Sequence, residues 1–88
     1  MSVDVRHQKS AVPAQFMLRS LEDGRTFALT GEMLVGREVD CHISLPSRHV
    51  SRYQAKVQVT ALGVVVEDLH STNGTYVNGR RILSLIHI

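Results

Sequence analysis

Apolar and polar side chains alternate along most of this chain with a period of two, and no stretch sustains the 3.6-residue period of a helix. The cleanest run is Tyr53 to Thr60. There Tyr53, Ala55, Val57 and Val59 face one way and Gln54, Lys56, Gln58 and Thr60 the other, which predicts a half-buried strand. Ala61-Leu62-Gly63 turns that strand back into Val64 to Asp68, and the register stays open because a two- or three-residue turn exchanges the valines that point inward. Upstream, Gln15 to Thr30 reads as a hairpin around Asp23-Gly24. A two-residue loop there pairs Leu21 with Thr26, Ser20 with Phe27 and Leu18 with Leu29, and it puts Phe16, Leu18, Phe27 and Leu29 on one face. Met33 to Val35 forms a short buried strand that delivers Gly36-Arg37, and His42 to Leu45 a brief one cut off by Pro46. Asn78-Gly79 supplies the two positive-φ positions of a type I′ turn and folds Tyr76-Val77 onto Arg80-Arg81. Many short strands joined by tight turns predict an all-β fold, an antiparallel β-sandwich.

The two ends fit this pattern less well. Residues 1–14 mix Asp4, Arg6, His7, Gln8, Lys9 and Ser10 with scattered valines and a proline, and read as a flexible leader. Leu83 to Ile88 alternates like one more strand.

Composition narrows the function classes. With 88 residues, 43% hydrophobic and 20% charged, the chain has the makeup of one small globular domain with a modest core. Ten Lys and Arg against eight Asp and Glu give a formal charge of +2, too balanced for a nucleic-acid binder that works by bulk charge. Cys41 is the single cysteine, so no internal disulfide is expected and a cytoplasmic setting is the simpler one. No stretch approaches the ~20 apolar residues of a membrane span. Cys41, His42 and His49 match no zinc-ligand spacing. Ser51, His70 and Asp68 could be drawn as a triad, but no nucleophile elbow surrounds the serine. Neither metal, cofactor nor catalysis is therefore expected.

The remaining chemistry sits on loops. Ser71-Thr72-Asn73-Gly74 is a tip crowded with two hydroxyls and a carboxamide; Gly36-Arg37 and Ser51-Arg52 place guanidiniums and a third hydroxyl on two other loops. In order, spacing and residue type, Gly36-Arg37, Val50-Ser51-Arg52 and Asp68 to Gly79 resemble the forkhead-associated (FHA) domain, a phosphothreonine-peptide-binding module with a β-sandwich of the SMAD/FHA kind. The resemblance runs from about Phe16 to Ile82. It implies a leader at 1–14, an FHA domain at 15–82 that lacks its last two strands, and a non-family tail at 83–88. The family would continue past Ile82 with two more strands, the last returning beside the first. Losing them leaves an open sheet edge that invites self-association.

The resemblance also assigns roles. Ser51 and Thr72 would bond a phosphate, Arg52 and Arg37 would balance its charge, and Asn73 would hold the peptide main chain. Gly36, Gly74, Asn78 and Gly79 would shape the loops. Gln54 stands where the family has a buried histidine that organises them. A phosphothreonine brings roughly −1.5 to −2 charges and three acceptor oxygens, which matches a cluster of donors and cations. The expected function is a non-catalytic reader of phosphothreonine-containing protein segments in Ser/Thr-kinase signalling, with no nucleic acid or membrane as partner. Two alternatives stand beside it: an FHA-fold scaffold whose phosphate site is weakened by Gln54, and polyanion binding through Arg48, Arg52, Lys56, Arg80 and Arg81.

Overall fold

Strands start and stop in this chain where the period-two pattern meets glycine, proline or an asparagine able to take positive φ. The structure, a computed structural model, describes residues 1–10 and 15–88. Among the described residues there are ten strands and no helix: β1 (Ser2–Gln8), β2 (Gln15–Ser20), β3 (Thr26–Leu29), β4 (Glu32–Gly36), β5 (Ile43–Ser44), β6 (Ala55–Thr60), β7 (Gly63–Asp68), β8 (Thr75–Val77), β9 (Arg80–Ile82) and β10 (Leu85–His87). They form two five-stranded sheets, ordered β3-β2-β1-β8-β9 and β10-β7-β6-β4-β5. The sandwich is as expected, but its sheets are mixed rather than purely antiparallel, because β1 runs parallel to β8 and β4 parallel to β5. Among the described residues no helix is long and apolar enough to cross a membrane.

The core lies between the sheets. Val3, Val5, Leu18, Leu29, Val77 and Ile82 come from the first, and Val35, Ile43, Ala55, Val57, Val64 and Val66 from the second. Thr60 pairs with Gly63, so the β6–β7 turn has two residues and Val64 and Val66 point inward, which settles the open register. Asn78 and Gly79 have φ of 51° and 82° and make the expected tight turn.

Three local expectations are corrected. Ser2–Gln8 is not a frayed leader but a central strand, antiparallel to β2 and parallel to β8. Met1, Val3 and Val5 are buried, and each fully buried side chain of this kind contributes roughly 1.5–3 kcal/mol. The part of the leader at 11–14 lies outside the described residues.

The β2–β3 hairpin keeps its predicted inner face with a register shifted by two: Leu18 pairs with Phe27 and Phe16 with Leu29. The loop is longer because Gly24 N donates to Ser20 O and Arg25 N to Asp23 Oδ1, so Asp23 closes a side-chain turn instead of entering a positive-φ one. Tyr53 is not inward on a strand; it precedes β6, is 44% exposed, and donates its hydroxyl to Asp40. Gln54, placed by alternation on the polar side, is fully buried.

Beyond Ile82, Leu85–His87 pairs antiparallel with β7 and forms an edge of the second sheet.

Candidate functional site

The chain leaves β4 at Gly36, and the approach there is close enough to explain the glycine. A Cβ on Gly36 would lie 2.2 Å from the Arg52 carbonyl oxygen and 2.9 Å from Cys41 Sγ. With no side chain in the way, Arg37 N donates to Ser51 O at 3.0 Å and Glu38 N to Arg52 O at 3.3 Å, zipping the first loop to the second. Arg37 and Arg52 therefore emerge side by side. Arg52 Nε sits 3.8 Å from Glu38 Oε1, with 74% of the arginine side chain exposed, a pair too open to immobilise it.

The second loop is tied to the third through Ser51. Its Oγ accepts a hydrogen bond from Thr72 N at 2.9 Å, which leaves the hydroxyl proton available to another acceptor. Asn73 Nδ2 donates to His49 O at 3.2 Å, and the side-chain oxygen of Asn73 stays open to a donor. Between these loops lies a cleft of about 310 Å³ walled by Arg37, Ser51, Arg52, Thr72 and Asn73, with Arg48 and Val50 at its side. All five predicted binding residues thus meet at one end of the sandwich. Neither Arg37 nor Arg48 has a carboxylate within 4.0 Å among the described residues.

Beneath the cleft, Gln54 joins all three loops. Its Oε1 accepts from Ser51 N at 2.8 Å; its Nε2 donates to Gly74 O at 3.0 Å and to Thr75 Oγ1 at 2.7 Å. Its main chain bonds Val35 and Leu69. A carboxamide has two donors and an acceptor on one rigid plane, and here each finds a partner, so no buried side-chain polar atom is left unpaired among the described residues.

The same network reaches Asp68, which opens the third motif but has no binding or loop-shaping role expected from the sequence. The Thr75 hydroxyl, fully buried, donates in turn to Asp68 Oδ1 at 2.7 Å, and Ser71 donates to Asp68 from both its hydroxyl and its backbone. Burial pushes the Asp68 carboxyl up, but the bonds from Ser71 and Thr75, with nearby His70, outweigh it and hold the group below its usual range. The signal was the Asp-x-x-Ser spacing of Asp68 and Ser71, a side-chain-to-backbone turn. His70, between them, takes a φ of 56°, which lets the loop double back over Asp68.

A larger hollow of about 600 Å³ opens on the outer face of the first sheet between Arg6, Lys9 and Arg19. It is lined by side chains of β1, β2 and β3 together with Lys9 and Ser10, whereas the smaller cleft gathers donors from three hydrogen-bonded loops. Chemistry therefore favours the smaller one.

Comparison with known proteins bears on the same residues. The model of the FHA domain family matches residues 33–87, which includes all three loops and continues past Ile82. The chain is 34% identical over 85 residues to the transcriptional regulatory protein EmbR of Mycobacterium tuberculosis, covering 96% of this chain and 22% of that protein. It therefore spans about a fifth of the length of that relative. The structure of M. tuberculosis EmbR in complex with a low-affinity phosphopeptide superposes with a TM-score of 0.72 at 34% identity, over 82% of this chain and 19% of that one. The FHA domain of the CT664 protein from Chlamydia trachomatis gives a TM-score of 0.73 at 31% identity, covering 84% and 80% of the two chains.

Proposed function

This chain belongs to the FHA domain family, and from that premise we propose that it is a non-catalytic module that binds phosphothreonine-containing segments of protein partners in Ser/Thr-kinase signalling. The observation that carries the reading is the convergence of Arg37, Ser51, Arg52, Thr72 and Asn73 on one cleft. Ser51 Oγ accepts from Thr72 N and keeps its proton for another acceptor, the Thr72 hydroxyl has no partner among the described residues, and two guanidiniums flank them. Hydroxyls and guanidiniums together suit a dianion with three acceptor oxygens. Asn73, with an open carboxamide oxygen, suits the main chain of an extended peptide. That EmbR is seen with a phosphopeptide supports the same assignment. Gln54 takes up the organising place with all its side-chain groups bonded, which favours this reading over a scaffold with a slack phosphate site. The single cysteine, Cys41, is buried and unpaired, which fits a reducing, cytoplasmic setting.

The test is a calorimetric titration of matched peptides with threonine, phosphoserine and phosphothreonine. Binding should require the phosphate and favour the threonine, whose extra methyl is worth about 0.8 kcal/mol when buried. Arg52→Ala should weaken phosphopeptide binding by at least about tenfold, as expected for a lost charge-assisted contact of about 1.5–3 kcal/mol. Equal affinity with and without the phosphate would overturn the proposal.

A further inference from the structure

We propose that the hollow on the outer face of the first sheet is a second docking site, independent of phosphate, for an extended acidic segment of a partner protein with Asp or Glu at alternate positions. It goes beyond the phosphothreonine reading and does not depend on it.

β1 carries this site away from the cleft. The strand runs parallel to β8, which starts just past the third loop, and Ser2 pairs with Tyr76. At about 3.3 Å per residue, Arg6 stands about 13 Å and Gln8 about 20 Å further along. The hollow of about 600 Å³ therefore opens toward the far end of the sheet, and one phosphate cannot engage both sites.

Strand register sets the charges. Arg6 faces Met17 and Arg19 faces Asp4, so the two arginines are diagonal neighbours on one face, about 7–8 Å apart at their bases. Lys9 follows in the same lining, where three cations meet the single carboxylate of Asp4. All three cations are exposed, none has a carboxylate within 4.0 Å among the described residues, and residues 11–14 contain no acid. His7 stacks on Phe16 with ring centroids 4.5 Å apart, which ties the ends of β1 and β2 together and keeps the cations at their spacing.

Spacing and lining together name the occupant. Side chains at i and i+2 of an extended segment share one side and lie about 6.6 Å apart, which matches the separation of Arg6 and Arg19. Met17, half-buried opposite Arg6, offers an adaptable apolar floor to the stems of acidic side chains. His7 is the one aromatic ring in the lining and is already stacked, so the bases of a single-stranded nucleic acid find no platform. Met17 is the one apolar side chain there, too little for a lipid surface.

The experiment uses the whole chain and fluorescence anisotropy of a labelled, unphosphorylated peptide, Ser-Ser-Glu-Ser-Glu-Ser-Glu-Ser-Ser, at about 0.15 M salt, where charges more than about 8 Å apart are screened. Its Gln twin should bind at least about fivefold more weakly, and an isomer with the three Glu spaced four residues apart about two- to fivefold more weakly. Combining Arg6→Gln with Arg19→Gln should weaken binding about four- to twentyfold, the range of two exposed ion pairs. Both positions are exposed, so the variant folds as before. Arg80→Gln with Arg81→Gln removes equal charge from the same sheet and should change binding by less than about twofold. An excess of phosphothreonine peptide should not displace the probe. Binding that survives the Arg6 and Arg19 changes, a Gln twin or spaced isomer that binds equally, or displacement by the phosphopeptide would overturn the inference. So would oligodeoxythymidine or phosphatidylserine vesicles that bind through Arg6 and Arg19 more tightly than the acidic peptide.

Discussion

Gln54 and Asp68 are the two side chains on which the loop cluster hangs, and they were legible to different degrees. Gln54 falls on the polar side of a period-two run with Lys56 and Gln58, so alternation alone sends it to solvent. It is buried because it precedes the first paired residue of β6, where three loops close over the sheet end. Only the place it takes in the motif hinted at this. Asp68 closes β7 and looks like a solvated end-of-strand acid; its role comes from Thr75, seven residues on, which no local pattern connects to it. Since the folded carboxyl titrates below its unfolded value, its stabilisation is present above the unfolded pKa of about 3.9 and disappears as pH falls through the folded one. Asp68→Asn should therefore lower stability by about 1.5–3 kcal/mol at pH 7, the scale of hydrogen bonds to a charged group. The gap to the unaltered chain should close toward pH 3 in urea titrations. A gap independent of pH would show that charge is not what Ser71 and Thr75 respond to.

At the scale of elements, strands and most turns follow from the pattern, and the departures have local causes. Five alternating residues at the start of the chain are too few to outweigh the polar cluster after them, so β1 reads as a leader until its partners are seen. One of those partners is a turn residue. Asn78 was legible as half of a type I′ turn, yet its carboxamide also brackets Val5, accepting from Val5 N at 2.9 Å and donating to Val5 O at 3.4 Å. It thus extends the brief β1–β8 pairing by acting as a further strand residue. Asn78→Gly keeps the backbone conformation and loses both bonds, and should cost about 1–2 kcal/mol. Hydrogen exchange should find the Val5 amide less protected while amides of β6 and β7 change only with global stability. Unaltered protection at Val5 would assign Asn78 to the turn alone.

For the molecule as a whole, the layers, the inner faces and the end that gathers the loops could be anticipated, because a sandwich collects its connections at two ends. The order of strands within a sheet could not, since pairing partners far apart in sequence leave no local trace. That order puts β10 at an edge, with Leu85 50% exposed and Leu62 and Leu83 almost wholly so. A short apolar edge with open backbone groups is a template for another strand. Sedimentation of the chain should accordingly show weight-average mass rising with concentration. Leu85→Lys, which sets a charge on that edge, should suppress the rise without altering phosphopeptide affinity, and an unchanged concentration dependence would direct attention to another surface.

The hydrogen bond from the Thr72 amide into the Ser51 hydroxyl has a practical corollary. It fixes one rotor so that the cleft addresses an incoming ligand from several directions at once, with a proton from one side and guanidiniums from others. A tetrahedral phosphoryl group can answer all of them, whereas the two coplanar oxygens of a carboxylate cannot. Replacing the target threonine of a partner by glutamate, the usual genetic imitation of the modified state, should therefore behave in cells as a loss of the interaction rather than as its permanent form.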